Sequence, residues 1–232
     1  MFDNLGDQIY KTLVVDDRWQ LFVTGIGNTF IIAGIAVLLG VLIGSMVAIA
    51  KVNFTGRRGF RWLTAICDVY LTVIRGTPMV VQLLIMYTII FAAAPSESAV
   101  YVASLAFGIN SGAYVAEIVR AGINAVPVGQ TEAGRSLGLT RSMTMRNIVL
   151  PQAIKNILPA LGNEFIVLFK ETSIVGYIAI QDLTRAAELI RSRTYQPLVP
   201  LLIVAGLYLV IVLIITFLLR KLERHLAKSD AR

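Results

Sequence analysis

Residues 132–151 read EAGRSLGLTRSMTMRNIVLP, and this stretch decides how the rest of the chain is understood. Pro127 upstream suits a first helical turn, Gly138 stands like a residue just past a helix end, and Thr140 is placed to cap a second helix beginning near Arg141. The expected product is two short helices joined by a sharp Gly-Leu-Thr corner. Arg135, Arg141 and Arg146 keep the segment out of hydrocarbon, while Ala133, Leu137, Leu139, Met143 and Met145 give it more apolar surface than one small loop can bury by itself. Such a loop needs a partner.

The surrounding chain is far more apolar than an ordinary soluble domain. Of its 232 residues 56% are hydrophobic and 15% charged, with a mean hydropathy of +0.75. The composition is that of an integral membrane protein, and apolar runs of helical span length make the expected fold all-α. Its net charge of +7 is concentrated beside long apolar runs, which records membrane orientation rather than nucleic-acid binding, and no basic patch is interleaved with aromatics. Cys67 is the single cysteine and His225 the single histidine, so an intrachain disulfide, a zinc cluster and a Ser-His-Asp triad all lack their parts. No metal or cofactor is expected. The acidic N-terminus (Asp3, Asp7, Asp16, Asp17) lacks the basic region of a cleavable signal, so the first apolar run is expected to stay in the mature protein.

Leu21 to Ala50 carries no charge over 30 residues, more than the roughly 20 that cross a bilayer. Residues 78–94, 98–119, 155–179 and 197–219 supply four further spans, giving five crossings at 21–50 and these four. Arg57 to Arg75 is broken by Arg58, Arg61 and Asp68 and reads as an amphipathic or partly inserted lead-in, with Thr77 as an N-cap and Pro78 at the first helical position of the second span. Without a repeat, a low-complexity tract or a flexible linker, 1–232 is expected to be one transmembrane domain with a cytoplasmic loop at 127–151.

Charge then chooses the orientation. Lys51, Arg57, Arg58 and Arg61 form one basic cluster; Arg120, Arg135, Arg141, Arg146 and Lys155 a second against Glu132; Arg220, Lys221, Arg224, Lys228 and Arg232 a third. Placing all three in the cytoplasm requires an odd number of spans with the N-terminus outside and the C-terminus inside. The outer stretch 181–196, where Arg185, Arg191 and Arg193 face Asp182 and Glu188, fits a short surface helix better than an inserted one.

Within the spans, Gly40 with Gly44 and Gly108 with Gly112 stand four apart, a spacing that lets helix backbones approach closely, inside one chain or across a dimer. The fourth span carries more chemistry. Asn156, Asn163 and Lys170 recur every seven residues, and Glu164 with Glu171 repeats this one position on, so a continuous polar face runs along the helix. Glu164 lies roughly 14 Å into the span by helical rise. A charge at that depth costs about 3 kcal/mol and must face the bundle interior or a wet cavity. Two roles stay open: a structural ion pair or interhelix hydrogen bond, and a substrate site in which Glu164 receives an ammonium or guanidinium group. Asn163 beside it, Asn110, Ser111 and Tyr114 in the third span, and Gln82 in the second, are further substrate-binding candidates whose amides and hydroxyls suit a zwitterion.

The segment 132–151 resembles the cytoplasmic EAA loop of ABC importer permeases, with Gly134 in place of the usual second alanine. Together with Gly27-Asn28-Thr29, Ile74-Arg75-Gly76-Thr77-Pro78, Ala113-Tyr114-Val115-Ala116-Glu117, Gln152-Ala153 and Gly162-Asn163-Glu164, the chain from about Thr24 to Leu222 is similar to the polar amino acid permeases of the ABC importers. That resemblance implies the five-helix importer core in a bacterial cytoplasmic (inner) membrane. It implies pairing with itself or a paralogous permease, contact with membrane lipid, and an extracytoplasmic amino acid-binding protein. Two copies of an ABC ATPase subunit would dock on the loop, with Glu132, Ala133, Gly134, Leu137, Gly138, Leu139 and Met143 as the coupling residues. No Gly-x-x-x-x-Gly-Lys-Ser/Thr string occurs in the chain, so ATP hydrolysis is assigned to that partner and the chain itself is not expected to be an enzyme. The competing reading is a passive channel or an ion-coupled secondary carrier using Glu164, Lys170 and Glu171 as relay groups. Carriers of that kind commonly show two related halves with broken helices, and neither is expected from this sequence.

Overall fold

The computed structural model describes residues 5–228, and no strand occurs among them. Asp3, Arg232 and the side chain of Lys228, counted above in the charge clusters, lie outside the described part. In chain order the α-helices are α1 (Leu5–Leu13), α2 (Trp19–Phe54), α3 (Arg61–Gly76), α4 (Met79–Ile85), α5 (Ala99–Asn124), α6 (Val128–Ser136), α7 (Arg141–Thr144), α8 (Leu150–Glu171), α9 (Leu183–Thr194) and α10 (Leu198–Lys228).

Among the described residues three helices are long and apolar enough to cross a membrane: Val15–Phe54, Ser96–Asn124 and Leu198–Leu226. The broken pair Arg58–Gly76 and Met79–Ile90 makes a fourth if it is taken as one span. The expected span at 78–94 begins with α4 at Met79 and is not one continuous helix. Its helix closes in a wide turn at Met86–Ile90, too short by itself for a bilayer. The break before it follows from Pro78, whose ring drives Thr77 into an extended conformation at φ −120°, ψ 145°. Thr77 accordingly ends α3 instead of capping α4, its hydroxyl bonding back to the Val73 carbonyl at 2.8 Å, and Pro78 itself stands at the N-cap of α4. The expected span at 155–179 is α-helical from Leu150 to Glu171 and then tightens into a 3-10 helix, Thr172–Ile178, closed by Ala179 at φ +62°. Lys155, Asn156, Asn163 and Glu164 make α8 the least apolar of the long helices.

The chain forms two compact units, each gathered from three stretches: 5–36, 78–107 and 166–216 in the first, 37–77, 108–165 and 217–228 in the second. In the first, Phe22, Leu183, Ala186, Ala187, Ile190 and Val204 form a core around α9. The alternating charges expected to float this helix on a surface occupy only one side of it; the other side is fully buried. Gly25 explains the closeness, since a Cβ there would stand 2.7 Å from the Asp182 backbone. Asn28 donates to the Gln181 carbonyl at 2.9 Å, and Gln181 donates to the Leu21 carbonyl at 3.0 Å. Asp182, wholly buried, caps α9 by accepting from the backbone of Thr184 and Arg185 at 3.0 and 2.9 Å, while burial pushes its carboxyl pKa above the usual range.

In the second unit the two glycine pairs face each other. A Cβ on Gly40 would meet Ser111 and one on Gly44 would meet Val115, while one on Gly108 would meet Leu39 and one on Gly112 would meet Ile43 and the Tyr70 hydroxyl, all within 3 Å. The small residues thus serve contact between α2 and α5 inside one chain. Ala48, Val115, Val119, Val126, Val149, Ala153 and Ile157 continue that packing toward the loop.

Candidate functional site

The corner at 132–151 is built from its own backbone. Helix α6 ends at Ser136; Gly138 adopts φ +82°, the Leu139 amide donates to the Gly134 carbonyl at 3.1 Å and the Gly138 amide to the Arg135 carbonyl at 3.0 Å. These two bonds make the paired terminal closure that only a left-handed residue permits, which glycine adopts without strain. Arg135 adds a strap, donating through Nη1 to the Leu139 carbonyl at 2.8 Å. Thr140 caps α7, its Oγ1 accepting from the Met143 amide at 3.2 Å. Pro127 sits one position earlier than expected, at the N-cap of α6 with ψ 134°, rather than in the first helical turn.

Gly134 is buried, and a Cβ there would stand 2.8 Å from Thr144 Cγ2 and 2.9 Å from Ile148 Cδ1. The missing methyl is therefore not a gap. Thr144 and Ile148 fill its space, and α6 lies closely against α7 and the wide turn Met145–Val149. On the outside, Glu132, Ala133, Leu137, Gly138 and Met143 are exposed and Leu139 half-buried; Leu137 reaches 81% exposure. The corner thus holds a large apolar side chain far into solvent on a locked backbone.

The second constellation lies in the same unit, on α5, α8 and α3. Ser111, fully buried, donates from Oγ to Glu164 Oε1 at 2.9 Å, and Asn110 is buried beside it in the chain. Tyr114 is 41% exposed, with the Arg75 guanidinium 5.8 Å from its ring centroid. Arg75 also approaches Glu117 at 3.8 Å, and the same carboxylate ion-pairs with Arg120. Tyr70 donates to the Ile109 carbonyl at 2.6 Å, tying α3 to α5 at this level. Asn163 is exposed and bonds its own helix at the Pro159 carbonyl, 3.1 Å away; Gln82 is half-buried on α4, in the first unit.

Arg75 was given no site role from the sequence, standing there as the end of the lead-in segment and as part of the Ile74-Arg75-Gly76-Thr77-Pro78 string. A signal for it existed: Arg61, Asp68 and Arg75 recur every seven residues and share one face of α3. Asp68 ion-pairs with Lys51 at 2.5 Å, and Arg75 engages Glu117 and Tyr114.

Residues 37–228 match the family described as "Binding-protein-dependent transport system inner membrane component". The chain belongs to that family. The permease is 40% identical over 196 residues to the putative glutamine transport system permease protein GlnP of Rickettsia bellii, covering 84% of the chain and 88% of that protein. It is 40% identical over 207 residues to the arginine transport system permease protein ArtQ of Bacillus subtilis, covering 89% and 92%. It is 33% identical to the L-cystine transport system permease protein TcyB of the same organism, covering 98% and 96%. Among solved structures, an amino acid ABC transporter with histidines superposes at a TM-score of 0.81 with 45% identity, over 89% of the permease and 94% of that chain. The MetNI methionine ABC transporter, at 20% identity and a TM-score of 0.72 over 90% and 97%, shares the fold. The permease is thus an inner-membrane transport subunit and not an enzyme; hydrolysis of ATP belongs to a separate subunit.

Proposed function

We propose that this permease carries a polar amino acid across the inner membrane, receiving it from an extracytoplasmic binding protein and driven by two copies of an ABC ATPase. Relatives named for glutamine, arginine and cystine transport support an amino acid as substrate. The observation that carries the site is the bond from buried Ser111 to Glu164: it holds a half-buried carboxylate on α8 in one orientation, suited to an α-ammonium or a cationic side chain. Asn110, Tyr114, Asn163 and Gln82 are proposed to complete recognition of the zwitterion. At the corner, Glu132, Ala133, Leu137, Gly138, Leu139 and Met143 are proposed to seat in the ATPase, with buried Gly134 coupling α6 to α7 behind them, and closure of the ATPase moves α6 and α7 and with them the spans on either side. A second permease, identical or paralogous, completes the pathway.

The topology proposed is a single transmembrane domain of five crossings, N-terminus outside and C-terminus in the cytoplasm, supported by the three basic clusters. Cysteines introduced near Asp16 and at Ser96 should then label from outside intact cells, and one at Ser229 should not. Reversed labelling removes the five-span arrangement. The transport reading itself is tested in proteoliposomes holding the permease, its ATPase and the binding protein. Uptake should require ATP and the liganded binding protein together, and equal uptake by vesicles lacking the ATPase would return the chain to the channel or carrier class, which the family match does not favour.

A further inference from the structure

On the membrane face that carries the 125–149 loop, the second unit holds a cavity of about 630 Å³, within the range of clefts that take small ligands. Lys51, Arg120 and Arg141 line it together with apolar Val52, Ile123 and Val149, and no carboxylate is among its lining residues. Neither Ser111 nor Glu164 reaches it, so it is distinct from the proposed amino acid site. Lys51 comes from the last turn of α2 and Arg120 from the last turns of α5, two helices apolar enough to span the membrane. Their cationic ends therefore stand where hydrocarbon gives way to headgroups.

The local charges do not cancel. Asp68 pairs with Lys51, but Glu117 is shared between Arg75 and Arg120, and Arg141 is exposed with no ion pair among the described residues. The three cations of the cavity thus meet two carboxylates, one of them also drawn by Arg75, leaving a surplus of positive charge beside an apolar wall. A soluble phosphate compound would satisfy the cations and leave the wall unused. An amphiphile satisfies both, and basic pockets between membrane helices bind anionic headgroups.

We propose that this cavity is a binding site for an anionic phospholipid of the adjoining leaflet, the headgroup phosphate held by Lys51, Arg120 and Arg141 and the start of an acyl chain lying along Val52, Ile123 and Val149. The inference rests on membrane residence alone and is independent of the substrate and of which face is cytoplasmic.

The test is native mass spectrometry of the detergent-purified complex of permease and ATPase, titrated with dioctanoylphosphatidylglycerol, dioctanoylphosphatidylcholine or inorganic phosphate. The wild-type complex should prefer phosphatidylglycerol to phosphatidylcholine about tenfold or more, and Lys51→Gln with Arg120→Gln should weaken the phosphatidylglycerol alone by about thirtyfold, as expected from two surface charges. Should the double variant fail to assemble, Arg141→Gln, at an exposed position, decides by the same comparison with a smaller loss. Equal binding of the two lipids by the wild type, or an undiminished preference in the variants, would overturn the site. Inorganic phosphate binding as tightly as the lipid would overturn the lipid and assign the cavity to a soluble phosphate compound.

Discussion

The corner at 132–151 and the constellation around Ser111 and Glu164 lie in one unit, yet they are held in opposite ways. Every bond that shapes the corner joins residues within five positions of each other: Gly134 to Leu139, Arg135 to Gly138 and Leu139, Thr140 to Met143. The polar constellation joins Ser111 to Glu164 across 53 positions, Tyr70 to Ile109 across 39, and Arg75 to Glu117 and Tyr114. A locally closed motif tolerates change elsewhere in the chain. One assembled from distant helices inherits every shift of their packing.

The largest effect separating the two is expected at Gly138. Arginine there must adopt φ +82°, which costs an L-residue about 1–2 kcal/mol, and it adds bulk where the ATPase is proposed to seat. Gly138→Arg, and likewise Glu132→Arg, should abolish uptake and substrate-stimulated ATP hydrolysis in reconstituted complexes while the protein still inserts. Normal coupled activity in Gly138→Arg would move the ATPase contact elsewhere.

Next in size is Glu164→Gln, which keeps an oxygen for Ser111 while removing the charge. Losing one charge-assisted contact to substrate should weaken transport affinity by about 1.5–3 kcal/mol, roughly 10-fold to 150-fold, with assembly and basal ATPase activity unchanged. A lowered melting temperature with unaltered transport would make Glu164 part of the scaffold, and Ser111→Ala should then reproduce that melting behaviour.

Gly134→Ala restores the commoner Glu-Ala-Ala sequence and should nevertheless destabilise, because its Cβ meets Thr144 and Ile148 below 3 Å. Overpacking of this kind costs about 1–3 kcal/mol. Replacing Thr144 by serine in the same chain removes the Cγ2 and should recover part of the loss in a thermal melt. A more stable Gly134→Ala protein would contradict the close contact of α6 with α7.

The smallest effect concerns Asp182 in the other unit. Its folded pKa is raised above the unfolded value by burial, so its contribution to stability is fully present below the unfolded pKa and is lost as pH rises through the folded pKa. Wild type should therefore gain stability relative to Asp182→Asn as the pH is lowered through the carboxylate range. A difference between the two melts that is constant with pH would show that the α9 cap carries no net charge penalty.

Range in sequence also decides what could be read in advance. Gly138 and Thr140 were legible because turn and cap chemistry act over a few residues, and the apolar spans because bilayer thickness sets their length. Arg75 was legible only as one of three charges on a face of α3, since its partners depend on α5 arriving beside that helix. Thr77 and Pro78 misled by one position each: proline suits both a first helical turn and the residue before it, and only the extended Thr77 distinguishes them. The missing methyl at Gly134 was visible, but whether it leaves a void depends on Thr144 and Ile148, neighbours that the linear order places on the next helix.

Because its hydrogen bonds are closed before any partner arrives, the corner is preorganised. An ATPase that engages it need not freeze a floppy segment, so little of the contact energy is consumed in ordering and most remains to hold the two proteins together. A stiff peg of this kind also passes displacement on without yielding.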